Sequence, residues 1–401
     1  MRVAGVICEY NPFHRGHEWM LRELRAQGMD AIVCAMSGNT VQRGEVGVAD
    51  KFARAEMAVR CGADLVLELP SPWASATAET FARGGVSLLQ QTGVVTHLAF
   101  GSECGDAAAL RKLAAVLDSE EYHAAVRRHL SGGESFAVCR QKAAAVLVGE
   151  ETAALLASPN NNLAVEYCRA LSALESTMEP ITVRRIGAGH DGGVEGGIAS
   201  ASYLRELLFM GREEEAMHLM SDAAAAVLRR ELSAGRAPAS LKVCERAVLG
   251  KLRAMAEEDF RQYDGGGEGL YHRLYQAVRS CAGIEELVDS AKTKRYSHAR
   301  LRRMLLSAWL DIPQVQKESR IPYLRVLAAN ERGRALLRQM RDGGAPVLTK
   351  PADVGALGQE AETLFADESR RADLCALACP NLRQSVCGQD WRRSPVMVKE
   401  E

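Results

Sequence analysis

Two histidines, His14 and His17, stand three residues apart with Gly16 between them in the run Ile7-Cys8-Glu9-Tyr10-Asn11-Pro12-Phe13-His14-Arg15-Gly16-His17-Glu18-Trp19-Met20. An imidazole donates a hydrogen bond whether neutral or charged. A pair of them suits a reaction in which charge gathers on oxygen, where one preorganised donor is worth roughly 10²–10³ in rate. Gly16 removes a side chain where a phosphate can approach the backbone. The elements around the pair fit that use. The apolar run Val3-Ala4-Gly5-Val6-Ile7-Cys8 reads as a buried strand. Asn11-Pro12 ends it, because the residue before a proline is pushed out of the helical region. From His17 the pattern turns helical, with Trp19, Met20, Leu21 and Leu24 on one apolar face. Both imidazoles therefore fall where a strand hands over to a helix N-terminus, whose free N–H groups and partial positive charge favour an anion.

Stepping outward, strands and helices alternate. Ala31–Met36, Asp64–Leu69, Val94–Phe100 and Ile181–Ile186 read as further strands. Helices are expected from the N-cap Asp50 to Cys61, over 74–91, in pieces between 106 and 157, after Pro159, and from Ser200 through Arg205. This pattern predicts an α/β fold, a Rossmann-like parallel sheet wrapped by crossover helices. In such a sheet ligands bind outside the carboxyl ends of the strands. That rule gathers His14, His17, the Ser37–Glu45 loop and Gly101-Ser102 on one rim. The first domain is expected to span 1–210 and a mostly α-helical C-terminal domain 211–401, with glycine-rich loops at Asp191–Gly197 and Asp264–Gly267.

The 401 residues, 47% hydrophobic and 25% charged, describe an ordinary globular protein. Formal net charge is −1, so a nucleic-acid contact needs a local patch. The stretch from Lys292 to Arg303 holds six Lys and Arg in twelve residues, with Tyr296 among them. Phosphate contacts from it would give affinity, and an aromatic can stack on an unpaired base. No apolar stretch reaches about 18 residues, and the N-terminal run is too short for a signal peptide, so no membrane span is expected. Eleven scattered cysteines, several within apolar runs, point to a reducing cytoplasm. Cys375, Cys379 and Cys387 form a loose cluster without an evident fourth ligand, and no metal site is assigned there.

The His14-x-Gly16-His17 pattern resembles the HxGH signature of the adenylyl-transferring nucleotidyltransferase superfamily. Further segments point to one family within it. They are Met36-Ser37-Gly38 with Gln42-Arg43-Gly44, Phe100-Gly101-Ser102-Glu103, Ser158-Pro159-Asn160-Asn161, Arg185-Ile186-Gly187-Ala188-Gly189, Ile198-Ala199-Ser200-Ala201-Ser202, Lys294-Arg295-Tyr296 and Pro322-Tyr323-Leu324-Arg325-Val326-Leu327. As a set they are similar to the bacterial tRNA(Met) cytidine acetate ligases. The resemblance implies activation of acetate by ATP to acetyl-adenylate, then acetyl transfer to the wobble cytidine of elongator tRNA(Met), giving N4-acetylcytidine. It implies an ATP site over Ile7–Met20 with Gly101, Asn161 and Arg185, and a second phosphate motif at Ser200 and Arg205. His14 and His17 are the expected catalytic pair, and Mg²⁺ would come with ATP, held largely by phosphates and water. Contact with tRNA is expected at Lys294, Arg295, Arg302 and Arg303. A metabolite adenylyltransferase and an ATP-sensing RNA-binding protein are the competing readings, and the large helical part with its basic stretch argues against the first of them.

Overall fold

The computed structural model describes residues 1–130, 136–186, 193–265, 269–293 and 296–399. The N-terminal apolar run forms β1, Val3–Cys8, and α1, Arg15–Ala26, follows it with Leu21 and Leu24 buried. In chain order come β2, Ala31–Ser37; α2, Lys51–Arg60; β3, Leu65–Leu69; α3, Ala78–Gln91; β4, His97–Ser102; α4, Pro159–Ala173; β5, Glu179–Arg184; and α5, Ala201–Phe209. In the C-terminal half the elements that matter are α6, His298–Leu310; β6, Leu324–Ala329; β7, Val347–Leu348; α7, Gln359–Ala376; and β8, Val396–Met397.

One eight-stranded sheet runs β7-β6-β3-β2-β1-β4-β5, with β8 also on β6. Strands β1 to β5 are parallel in the order 3-2-1-4-5. The connections leave β1 in both directions, which opens a crevice at its carboxyl end. Apolar clusters cover both faces of the sheet, and a third lies under the C-terminal helices around Phe260, Leu301 and Trp309.

Several boundaries differ from expectation. The helix expected over 74–91 starts at Ala78, because Thr77 Oγ1 accepts the Thr80 N–H and makes a new N-cap. The strand expected from Val94 starts at His97, because Thr92 Oγ1 takes the N–H groups of Val94 and Val95 and holds them in a turn. The fifth strand begins and ends two residues earlier than Ile181–Ile186.

Residues beyond Gly211 do not stay apart from the sheet. β6 is fully buried and pairs antiparallel with β3, adding an edge to the parallel core. Its sequence, Leu-Arg-Val-Leu-Ala-Ala, is a short, mostly apolar run interrupted by Arg325, and periodicity cannot tell such a strand from a buried helical turn. The Asp191-Gly192 part of the glycine-rich loop and Gly266-Gly267 lie outside the described residues.

Candidate active site

The carboxyl ends of β1, β4 and β5 open into a cavity of about 350 Å³. His14 closes the turn after β1 and is the N-cap of α1, its backbone extended (φ −143°, ψ 173°). Its Nδ1 accepts the Gly16 N–H at 3.0 Å, while His17 Nδ1 accepts the His14 N–H at 3.2 Å. Two histidines thus make the reciprocal capping box that a Ser and a Glu usually make. A ring nitrogen that accepts from a backbone N–H carries no proton, so each neutral ring holds its proton on Nε2. The rings stack with centroids 3.7 Å apart and both line the cavity. The turn therefore presents two N–H donors side by side. A Cβ on Gly16 would lie 2.9 Å from the His14 ring, so the glycine is demanded by the cap itself as well as by an approaching anion.

Burial, aided by the Arg185 charge, pushes His14 down to about 3. Burial, the adjacent His14 and Arg185 together hold His17 well below the ordinary imidazole range. Both rings are neutral donors near pH 7. Tyr10, in the left-handed region at φ 46°, sets its ring against Phe13 and His17 with centroids 4.9 and 4.8 Å away.

Most of the expected ATP residues meet here. Ile7, Cys8, Glu9, Tyr10, Asn11, Trp19, Met20, Gly101, Arg185 and Ser200 line the cavity with the two histidines and Gly16. Trp19 lines the cavity, and its buried indole N–H has no hydrogen-bond partner among the described residues. Ser200 caps α5 through a 3.1 Å bond from the Tyr203 N–H, so the start of that helix faces the cavity. Arg185 is exposed beside Gly101, where a Cβ would stand 3.2 Å from the arginine Cγ.

The others act from behind the wall. Arg205 donates to the Asn11 carbonyl at 2.7 Å and to Ser202 Oγ at 3.3 Å, bracing the turn before His14. Arg15 donates to the Met220 carbonyl, and Pro12, Phe13 and Glu18 do not line the cavity. Asn161 is buried, and its Oδ1 accepts the N–H groups of Glu103 and Cys104 at 2.9 and 3.1 Å. It orders the loop after β4, while Asn160 and Asn162 line the cavity. Glu103 is spent on the start of α4, accepting from the Asn160 and Asn161 N–H groups and from Asn160 Nδ2.

Sequence reasoning missed Phe81, Phe100 and Tyr167 as the apolar wall of the cavity, and Arg54, which bonds the backbone of the lining residue Glu9. The aromatics read as ordinary strand and helix core. Arg54 sits in the middle of α2, fully buried, and donates to the backbone carbonyls of Ala49, Glu9, Ser37 and Gly38. It ties together the loops that leave β1 and β2. No local pattern announces this, since its partners lie up to 45 residues away.

Of the basic stretch, Lys294 and Arg295 lie outside the described residues. Arg302 pairs with Glu285 at 2.6 Å and lies 3.9 Å from Glu45. Arg303 reaches the Gln42 carbonyl at 3.4 Å. The start of α6 thus packs on the loop after β2. Gly44 permits it: at φ +81° its Cβ would come within 2.4 Å of the Arg303 nitrogen. Among the described residues no group of three or more His, Cys, Asp or Glu is placed to hold a metal ion. Cys375 is buried, Cys379 half-buried and Cys387 exposed. No helix among the described residues is long and apolar enough to cross a membrane.

Comparison with known proteins agrees with this fold. The HIGH Nucleotidyl Transferase family model matches residues 1–390. A tRNA(Met) cytidine acetate ligase of Syntrophomonas wolfei is 35% identical over 99% of each chain. One of Fervidobacterium nodosum is 35% identical over 92% of this chain and 88% of its own. The crystal structure of Thermotoga maritima TmcAL bound with alpha-thio ATP superimposes with a TM-score of 0.92 at 30% identity, covering all of both chains; its apo form gives 0.94.

Proposed function

Because this chain belongs to the HIGH nucleotidyl transferase family and, within it, to the tRNA(Met) cytidine acetate ligases, we propose that it joins acetate to the wobble cytidine of elongator tRNA(Met) at the expense of ATP. In the first half-reaction an acetate oxygen attacks the α-phosphorus, and the bond to pyrophosphate breaks. His14 and His17 donate through Nε2 to the phosphate oxygens as charge gathers there. They can do so without first gaining a proton, because burial keeps both rings neutral and their Nδ1 atoms are already bonded. Arg185 and the N-terminus of α5 meet the leaving pyrophosphate, with Ser200 at the cap and Arg205 bracing the turn. Phe81, Phe100 and Tyr167 exclude water from the adenylate. Mg²⁺ would accompany the triphosphate, held by phosphate oxygens and water. In the second half-reaction the cytidine N4 attacks the acetyl carbonyl and AMP leaves.

The tRNA would approach over the start of α6, where Arg302 and Arg303 lie beside the loop that borders the cavity, with Lys294 and Arg295 just before that helix in the sequence. Eleven free thiols support a reducing, cytoplasmic setting. The observation that carries the reading is the capping box of two histidines, which fixes two Nε2–H donors at the mouth of β1. Incubation with ATP, labelled acetate and total tRNA, followed by nucleoside mass spectrometry, is expected to yield N4-acetylcytidine. ATP–pyrophosphate exchange that acetate does not stimulate would overturn the reading.

A further inference from the structure

We propose that Glu9 is the proton acceptor of the second half-reaction, taking a proton from the exocyclic amine of cytidine as that nitrogen attacks the acetyl carbonyl. The proposal rests on the ligase reading above.

Amide formation at an aromatic amine must shed a proton, and few groups here can receive one. Glu9 is the residue after β1 and the one carboxylate among the described residues that line the cavity. Glu103, in the loop after β4, is committed to the start of α4 by three hydrogen bonds. His14 and His17 cannot accept, because each Nδ1 already takes a backbone N–H and each Nε2 holds the proton. Burial raises Cys8, Tyr10 and Tyr167 well above their usual ranges, so these keep their protons and offer no base.

Glu9 is positioned for the task. Its Oε1 accepts the Gln42 N–H at 2.7 Å, and its Oε2 takes no hydrogen bond among the described residues. Arg54 holds its backbone carbonyl at 2.6 Å. The groups that face it are Arg205 from α5, Arg43 from the loop after β2, Arg54 from α2 and Tyr167 from α4. Burial lifts its affinity for a proton above that of an ordinary glutamate, and the three arginines hold it partly back. A carboxylate so placed is a stronger base than one in water. In the step itself the C–N bond forms and the acyl C–O bond to phosphate breaks. AMP keeps that electron pair, and the amine proton passes to Glu9 and on to water.

The test loads the enzyme with ATP and acetate, then mixes it with an elongator tRNA(Met) transcript and follows N4-acetylcytidine in a single turnover across pH. ATP–pyrophosphate exchange is measured in parallel. The wild-type transfer rate is expected to fall on the acid side, with its midpoint above the ordinary glutamate range. Glu9→Gln is expected to slow transfer by about 10²-fold or more, at least tenfold beyond any loss in exchange, and to abolish the acid limb. Glu9→Asp is expected to restore the limb at a reduced rate. Equal losses in both half-reactions, or an acid limb unchanged in Glu9→Gln, would overturn the proposal. Wild-type exchange without acetate stimulation would instead remove the ligase reading, and this proposal with it.

Discussion

The histidine pair at the end of β1 is buried at His14 and half-buried at His17, and the ion cluster beside β6 is buried, yet one is neutral and open to a ligand while the other is charged and closed. In the cluster, Lys51 Nζ lies 2.7 Å from Glu68 Oε1 and 2.7 Å from Asp390 Oδ2. Arg325 lies 2.8 Å from the same Asp390 oxygen and 3.5 Å from Glu68 Oε2, with Phe52 and Phe365 against its guanidinium. Two cations meet two anions with side chains at most 4% exposed. Removing one member strands a charge in a low-dielectric site. Among the described residues the histidines have no counter-ion beside them, so burial removes their charge, and their donors remain for a substrate. A site for an anionic ligand is built by leaving donors unspent, and a structural joint by spending all of them.

The largest expected effect tests the open half. His17→Ala is expected to slow acetate-dependent adenylate formation by roughly 10²-fold or more. Stability is expected to fall by only about 1 kcal/mol, because the His14 N–H loses its capping acceptor but no buried charge is left behind. A wild-type exchange rate would make the ring structural.

The closed half should respond the other way. Asp390→Ala is expected to cost about 3–5 kcal/mol of stability, because Lys51 and Arg325 lose their shared acceptor. Below the melting transition its exchange rate should stay near wild type. Chemical denaturation reads the first and exchange the second, and a variant with normal stability would show the cluster to be dispensable.

A pH series separates the two designs further. His14 is held near 3 in the folded chain against about 6.5 unfolded. The unfolded chain therefore takes the proton first as pH falls. The contribution is whole above pH 6.5 and is lost progressively down to about pH 3. That makes up to roughly 2 kcal/mol of lost stability between pH 6.5 and 5. His14→Gln should show a shallower decline over that interval, and an identical slope would mean the ring is charged in the fold.

The smallest effect concerns the start of α6. Arg302 is already paired with Glu285. Arg302→Ala is expected to weaken tRNA acetylation only a few-fold and to lower the salt slope by about one. Adenylate formation should not change. An unchanged salt slope would leave Arg302 a partner of Glu285 alone.

Much of the open site was legible in the sequence because it is local. His14, Gly16 and His17 cap one helix within a single turn, and the strand before them is six residues long. The parallel core followed from strands alternating with helices, and it places Gly101, Arg185 and Ser200 on the same rim. The basic stretch from Lys292 to Arg303 was equally plain as composition, but not its packing. Arg303 turned out to rest on the Gln42 carbonyl, because Gly44 lets the α6 backbone come close.

What the sequence determined alone was chemistry carried by near neighbours. A helix cap, a strand and a pair of imidazoles depend on spacings of one to four residues, and those spacings leave a readable pattern. What only the tertiary structure decided was the fate of groups whose partners are far along the chain. Asn161 meets the loop after β4 at a separation of 58 residues, Arg205 meets Asn11 at 194, and Lys51 meets Asp390 at 339. At such distances no periodicity links donor to acceptor. Packing of the two halves around one sheet decides which buried polar groups are paired and which stay open to a substrate.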